Sequence, residues 1–388
     1  MRLPSPQMTA GTRSTRHDVD AQAADGRAHA VPAAPNARDA PTPFRPAWWL
    51  RNPHLATVWG KFFRRPPVVE SRTERWDTPD DDHLDLVRTP GDPRAPTFLL
   101  LHGLEGSPRS HYVAGLLHSA RAAGWQANLL LFRTCNGALN RARRTYHSGE
   151  TTDLDFVVTR LAEERPDSPI VLAGVSLGGN VLLKWLGELG RAERGAGDHG
   201  TSPSVASLAD RDALRQRIAA AVAVSTPYDL ARSCAHIDQG VSRVYARNFL
   251  RTLKRKALDK IAQHPDIADP ARVERADSLW AFDDAFTSVA HGFVDAADYY
   301  FRSSGIRGLH RVGVPTLLLS ARDDPFHPPD LLDDVTRIAA RNPSLQLEIT
   351  EHGGHVGFVE GPHPGRARYY VERRLVAFAT HHLSGSRS

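Results

Sequence analysis

The chain has 388 residues, 41 % of them hydrophobic and 24 % charged, with two cysteines and a formal net charge of +5. That length suits one α/β domain with insertions, and that composition supplies a large core. No run of ~18 apolar residues marks a membrane span, and no zinc-ligand spacing, P-loop or nucleic-acid motif is present, so those classes are set aside. Cys135 and Cys234 read as reduced, partly buried thiols rather than a disulfide. The first residues carry no apolar stretch of the secretory kind. Both features lead us to expect a cytoplasmic protein. The positive charge is nearly all arginine, a compositional bias rather than a binding signature.

Residues 1–42 are rich in Ala, Pro, Arg, Asp and Thr and nearly devoid of large apolar side chains, so a disordered tail is expected. Asp18, Asp20, Asp25 and Asp39 argue against an import sequence. From Pro43 to about residue 66, Phe44-Arg-Pro-Ala-Trp-Trp-Leu50 and Asn52-Pro-His-Leu-Ala-Thr-Val-Trp59 concentrate aromatics. They predict an ordered extension packed on the domain, with lining of a ligand site as the second reading. Val68–Trp76 and His83–Val87 read as a hairpin closed by Thr78-Pro-Asp-Asp-Asp82. Thr97–Leu101 is a continuous apolar run, hence a buried strand, and feeds His102-Gly-Leu-Glu-Gly-Ser107. Val113, Leu116, Leu117 and Ala120 recur at helical spacing over 110–123, and Gly124 stops that helix. Gln126–Phe132 reads as the next strand and Asp153–Glu164 as the next helix.

The stretch Ile170-Val-Leu-Ala-Gly-Val-Ser-Leu-Gly-Gly-Asn180 organises the chain. A buried strand, Gly174-Val-Ser176-Leu-Gly178 and a helix follow in the order that makes this motif a nucleophile elbow. The tight turn lifts the Ser176 hydroxyl clear of the sheet, and the glycines let strand and helix pass closely. Residues 191–215 have little apolar content and are expected to form a flexible surface insertion. Ile218–Ser225 is another buried strand, and Thr226-Pro-Tyr-Asp229 leads into a largely helical block over about 229–305. Val314–Ser320 and Leu345–Thr350 resume the strands, and Arg366–His382 closes the chain as a helix. This alternation predicts an α/β fold with a mostly parallel, eight-stranded sheet and helices on both faces. The antiparallel start and the helical block fit an α/β-hydrolase core with a helical cap.

A serine hydroxyl is a poor nucleophile unless a base takes its proton and a carboxylate orients that base. In this fold the order is Ser, then Asp or Glu, then His. Ser320-Ala-Arg-Asp-Asp-Pro-Phe326 supplies the acid, and Pro328 matches the usual spacing from Asp324 rather than Asp323. Glu351-His-Gly-Gly-His-Val-Gly357 supplies the base. His355 is favoured over His352 because two glycines free its loop. The oxyanion donors are expected to be the backbone N–H groups of Leu177 and Leu104. His102 reads as a loop-shaping residue rather than a second base. In the cap, Arg243–Leu258 carries an apolar stripe, with Arg247, Arg251, Lys254 and Arg255 on a basic face. A packed helix with a solvated side is the plainer reading; peripheral contact with an anionic membrane or an acidic substrate is the sharper one.

Several blocks together resemble the YheT-like (EMB8-like) branch of the α/β-hydrolases over about residues 43–380. They are Asn52-Pro-His54, Leu101–Ser107, Phe132-Arg-Thr-Cys-Asn-Gly137, Tyr146-His-Ser-Gly-Glu150, Gly174–Asn180, Ser225–Asp229, Phe282-Asp-Asp-Ala-Phe286 and Gly353–Glu360. The resemblance implies a serine carboxylesterase or lipase-like enzyme acting on an ester substrate. It implies no cofactor and no metal, with Ser176, Asp324 and His355 as the triad. Amidases, peptidases and thioesterases share that triad, and a non-catalytic lipid-binding protein of the same fold is the reading from another class. The tail and the 191–215 insertion depart from the family pattern. Tyr146–Glu150 reads as a buried polar turn bracing the oxyanion loop, not as a second triad.

Overall fold

The computed structural model describes residues 42–190 and 208–385. Apart from Thr42, the expected tail lies outside the described residues, as does the insertion as far as residue 207. Eight strands form one sheet: β1 (Arg72–Thr78), β2 (Asp82–Arg88), β3 (Thr97–Leu101), β4 (Gln126–Leu131), β5 (Ile170–Val175), β6 (Ile218–Val224), β7 (Thr316–Ala321) and β8 (Leu345–Thr350). Their spatial order is β1-β2-β4-β3-β5-β6-β7-β8. The pairs β1/β2 and β2/β4 are antiparallel, and the pairs from β4 to β8 are parallel. This is the α/β sheet expected from the sequence.

Strands β3, β5 and β7 are buried at every residue, which is why they read as unbroken apolar runs. Successive side chains still alternate between two cores. Leu99, Leu101 and Leu172 face one that includes Trp185. Phe98, Leu100, Val171 and Ala173 face the other, which the closing helix fills with Phe378 and Leu375.

Several bounds shift for visible reasons. The first strand begins at Arg72 rather than Val68, because its partner β2 ends at Arg88 opposite Arg72. The end of the presumed insertion, Leu208–Arg217, is helical. It is held by burial of Leu214 in the core and by Arg217 donating to the carbonyls of Arg165 and Ser168. The closing helix starts at Tyr370, because Arg368–Tyr369 pairs with Val359–Glu360 as a small second sheet. A helix at Leu331–Ala339 was not foreseen.

Helices fill the chain between β6 and β7, chiefly Leu230–Ile237, Arg243–Gln263, Pro270–Arg275 and Ala296–Ser303. Arg243–Gln263 and Pro270–Arg275 share a core around Leu250, Ala257, Val273, Phe282 and Phe286, while Leu230–Ile237 and Ala296–Ser303 share another around Leu230, Cys234, Tyr299 and Tyr300. A π-helical turn at Asp283–Thr287 interrupts them. On the expected basic face, Lys254 departs from the reading. Its ammonium donates to the carbonyls of Glu274 and Ala276, tying two cap helices together instead of facing solvent. The aromatic extension folds into a helix at Pro53–Phe63, with Pro53 at its first position. The Asn52 Oδ1 accepts the N–H groups of His54 and Leu55. The indoles of Trp48 and Trp49 donate to the carbonyls of Pro362 and Gly361. Among the described residues no helix is long and apolar enough to cross a membrane.

Candidate active site

Strand β5 runs directly into Ser176, and the helix Leu177–Leu189 begins at the next residue. Ser176 has φ 55° and ψ −122°, a region that costs a non-glycine residue energy. Its N–H donates to Val224 at 2.8 Å and its carbonyl accepts the Gly179 N–H at 2.9 Å, so the surroundings hold it there. A Cβ at Gly178 would stand 2.5 Å from the carbonyl oxygens of Leu101 and His102. Only glycine lets the helix cross the end of β3 at that distance.

The loop after β8 brings His355 to this turn. Its Nε2 is 2.9 Å from Ser176 Oγ, and its Nδ1 is 2.8 Å from Asp324 Oδ2. A carboxylate only accepts, so Nδ1 carries the proton and Nε2 is the acceptor for the serine hydroxyl. Asp324 is buried, and burial alone would raise its pKa. The imidazoles of His355 and His327 outweigh that and hold the carboxyl well below the usual range. Asp324 Oδ1 also accepts the Phe326 N–H at 2.9 Å. The rival residues pair with each other: His352 Nδ1 is 3.2 Å from Asp323 Oδ2, and Asp323 Oδ1 accepts the Gly354 N–H at 2.9 Å. The two aspartates and two histidines thus sort into one buried pair touching Ser176 and one outer pair that braces the turn.

The His102 imidazole lies elsewhere. Its Nδ1 is 2.7 Å from the Gly103 carbonyl, its Nε2 accepts the Phe132 N–H, and burial pushes its pKa down to about 4. It is a neutral strut for the loop it precedes. In that loop, Gly103 donates its N–H to the Tyr112 hydroxyl at 2.8 Å, and Glu105 donates its own to the Tyr146 hydroxyl at 3.1 Å. Among the described residues no acceptor meets the N–H of Leu104 between them, nor that of Leu177. Tyr146 also donates to Glu105 Oε1 and stacks on Phe132, so its block does brace this loop.

A cavity of about 710 Å³ opens over these groups. Ser176, Leu104, Leu177 and His355 line one side, and Phe249, Leu253, Phe282 and Phe286 of the cap line the other. A mainly apolar chamber with a few convergent polar groups suits a small apolar ligand with one reactive polar centre. The helix Pro53–Phe63 contributes Thr57, Val58 and Gly60 to the wall, so the aromatic extension both packs and lines the site.

Three contacts escaped the sequence reading. Thr57 Oγ1 accepts the His355 N–H at 2.9 Å, and Ser225 Oγ accepts the Val356 N–H at 3.1 Å. The Phe326 ring stacks on the His355 imidazole at 3.9 Å. Phe326 was within reach, since it follows Asp324 by two residues. Thr57 was not, because nothing local ties it to a loop far along the chain.

The sheet, the elbow and the inserted cap define an α/β-hydrolase. A model described as the alpha/beta hydrolase family matches residues 98–367, and the chain belongs to that family. It is 34 % identical to a protein of Escherichia coli (strain K12) named "Putative esterase YheT", over 88 % of this chain and 94 % of that one. It is 28 % identical to phospholipase ABHD3 of Bos taurus, over 84 % of this chain and 75 % of the other. It is also 28 % identical to a monoacylglycerol lipase of Saccharomyces cerevisiae, over 79 % of this chain and 63 % of the other. The YheT-like resemblance read from the motifs is thereby met.

Proposed function

We propose that this α/β-hydrolase cleaves carboxylic esters through an acyl-enzyme formed on Ser176. One observation carries the reading: an unbroken relay from Ser176 Oγ to His355 Nε2 at 2.9 Å and from His355 Nδ1 to Asp324 at 2.8 Å, facing a mainly apolar cavity. Ser176 Oγ attacks the ester carbonyl carbon while Nε2 takes its proton. Asp324 holds the imidazole in place and stabilises its positive charge. The oxyanion is met by the free N–H groups of Leu104 and Leu177. The C–O bond to the alcohol then breaks, and the Nε2 proton goes to the departing alkoxide. Water attacks the acyl-serine, gives its proton to Nε2, and the acid leaves as Ser176 recovers its hydroxyl.

The apolar lining supports acyl esters of short to medium chain or acylglycerol-like lipids as substrates. The names of the relatives, which describe an esterase, a phospholipase and a monoacylglycerol lipase, support the same class. The same reading assigns residues 43–388 to one hydrolase domain with a cap over about 229–305. Turnover of p-nitrophenyl esters of increasing acyl length tests it, alongside matched thioester and anilide substrates. We expect Ser176→Ala to lower kcat by at least about 10⁴-fold and to abolish labelling by a fluorophosphonate. Retained turnover by that variant overturns the role of Ser176. Faster cleavage of the anilide than of the ester overturns the substrate class.

A further inference from the structure

The cavity mouth is flanked by two helices that leave apolar side chains uncovered. In Pro53–Phe63, the residues Leu55, Val58, Trp59 and Phe62 fall at i, i+3, i+4 and i+7, one stripe of the helix. Leu55 is 57 % exposed and Phe62 66 %. Val58, in the same stripe, lines the cavity, so the exposed apolar surface runs into the chamber. The buried face of this helix is a different one, Ala56 and Gly60. Across the mouth, Arg243–Gln263 begins beside Val241 and Val244, which are 62 % and 66 % exposed. The helices meet where His54 stacks on Tyr245, ring centroids 5.9 Å apart, and Tyr245 lines the cavity. Uncovered apolar side chains on both helices thus adjoin residues that line the cavity, and a patch of this kind marks an interaction surface.

The chain segments that carry the first helix and most of the second are charged with one sign only. No acidic residue occurs between positions 43 and 69 or between 239 and 258. Arg51, Lys61 and Arg65 are exposed on one side, and Arg247 and Arg251 on the other. Exposed apolar side chains interleaved with exposed cations, on segments without acidic residues, are complementary to the surface of an anionic bilayer.

We propose that this rim docks the enzyme on anionic membranes, with the cavity mouth facing the lipid. Docking places the stripe at the boundary of headgroups and acyl chains, and the mouth where an ester lipid can leave the bilayer. The binding itself does not depend on the acyl-enzyme reading, although its usefulness to the enzyme rests on it. The test therefore separates the two. The full chain carrying Ser176→Ala is sedimented with vesicles of phosphatidylcholine alone and of phosphatidylcholine with phosphatidylglycerol. We expect binding to the mixed vesicles that weakens about tenfold on neutral vesicles or in ~0.5 M salt.

Adding Leu55→Glu and Phe62→Glu is expected to weaken that binding at least about tenfold. Both side chains are exposed and neither lines the cavity, so in the otherwise native enzyme turnover of soluble p-nitrophenyl acetate should change less than about twofold. Hydrolysis of an ester presented in anionic vesicles should fall with binding. Three outcomes overturn the proposal: no sedimentation of the full chain with anionic vesicles, equal binding by the double-glutamate variant, or self-association that the variant abolishes without any binding to lipid.

Discussion

Asp324 with His355 and Asp323 with His352 are two carboxylate–imidazole pairs built from neighbouring residues, and they do different work. The first pair closes at 2.8 Å with side chains 0 % and 9 % exposed, and the second at 3.2 Å with side chains 17 % and 42 % exposed. The separation arises from one residue on one loop and three on the other. After β7, successive aspartates point to opposite sides of the turn. After β8, Gly354 takes a φ of 58°, and its missing side chain leaves room for the Pro53 carbonyl, 2.6 Å from where a Cβ would stand. That turn carries His355 inward under the extension and leaves His352 outside. Solvent screens the outer pair, which leaves its attraction at about 0–1 kcal/mol. Water is kept from the inner pair, so its carboxylate can stabilise an imidazolium through the reaction.

The largest effects should fall on the inner pair alone. His355→Ala is expected to lower kcat on p-nitrophenyl butyrate by at least about 10⁴-fold, and His352→Ala by less than about threefold. Asp324→Asn should cost about 10³- to 10⁴-fold, because an amide in place of the carboxylate can reverse the imidazole tautomer. Asp323→Asn should act through the Gly354 turn, lowering Tm by a few degrees with a loss in kcat below about tenfold. Comparable losses for the inner and outer members would break the comparison.

A smaller effect sharpens it from the other side of the nucleophile. Tyr112 and Tyr146 occupy the N–H groups on either side of Leu104, leaving that donor free. Tyr112→Phe removes one occupant and lets Gly103 compete or the loop drift. The expected result is a fall in kcat of about tenfold with KM changed less than about twofold, as for a group that acts in the transition state. An equal rise in KM with kcat intact would place Tyr112 in substrate binding instead.

Much of this arrangement was legible because local patterns carried it. The strand Leu345–Thr350 has the bounds expected of it, since the alternation Leu-Gln-Leu-Glu-Ile-Thr ends just before a glycine-rich loop. Ser176 was legible because strand, glycines and helix must follow one another for the turn to form. The choice of Asp324 rested on the proline at Pro328, and that of His355 on Gly353 and Gly354; His355 is the imidazole found against Ser176, with Asp324 behind it. What was not legible depends on contacts between distant segments. Nothing near Thr57 announces that its hydroxyl will accept the His355 N–H. Lys254 looked like one more cation on a solvated face, and only the docking of a second cap helix turns it toward two carbonyls. The helix Leu331–Ala339 had the pattern, with Leu331, Leu332, Val335 and Ala339 buried, but it is only nine residues long and was passed over.

Asp283 offers the same comparison without an imidazole. It sits on the π-helical turn of the cap, half-buried, and lines the cavity. Tyr300 and Thr287 each donate a hydroxyl to it at 2.6 Å. Burial outweighs those neutral donors and raises its pKa to about 6, whereas Asp324, facing two imidazoles, moves the opposite way. The folded protein therefore holds a proton on Asp283 that the unfolded chain, with an ordinary carboxyl near 3.8, releases earlier. The stability this contributes is present at low pH and is lost as pH rises from about 4 through about 6. Asp283→Asn removes the titration while keeping the side-chain volume. The Tm of the variant relative to the native protein should therefore rise between pH 4.5 and pH 7 and level off above. A difference in Tm that is flat across that range would mean Asp283 is ionised in the fold at low pH like Asp324. Burial without a cation would then not be what separates the two carboxylates.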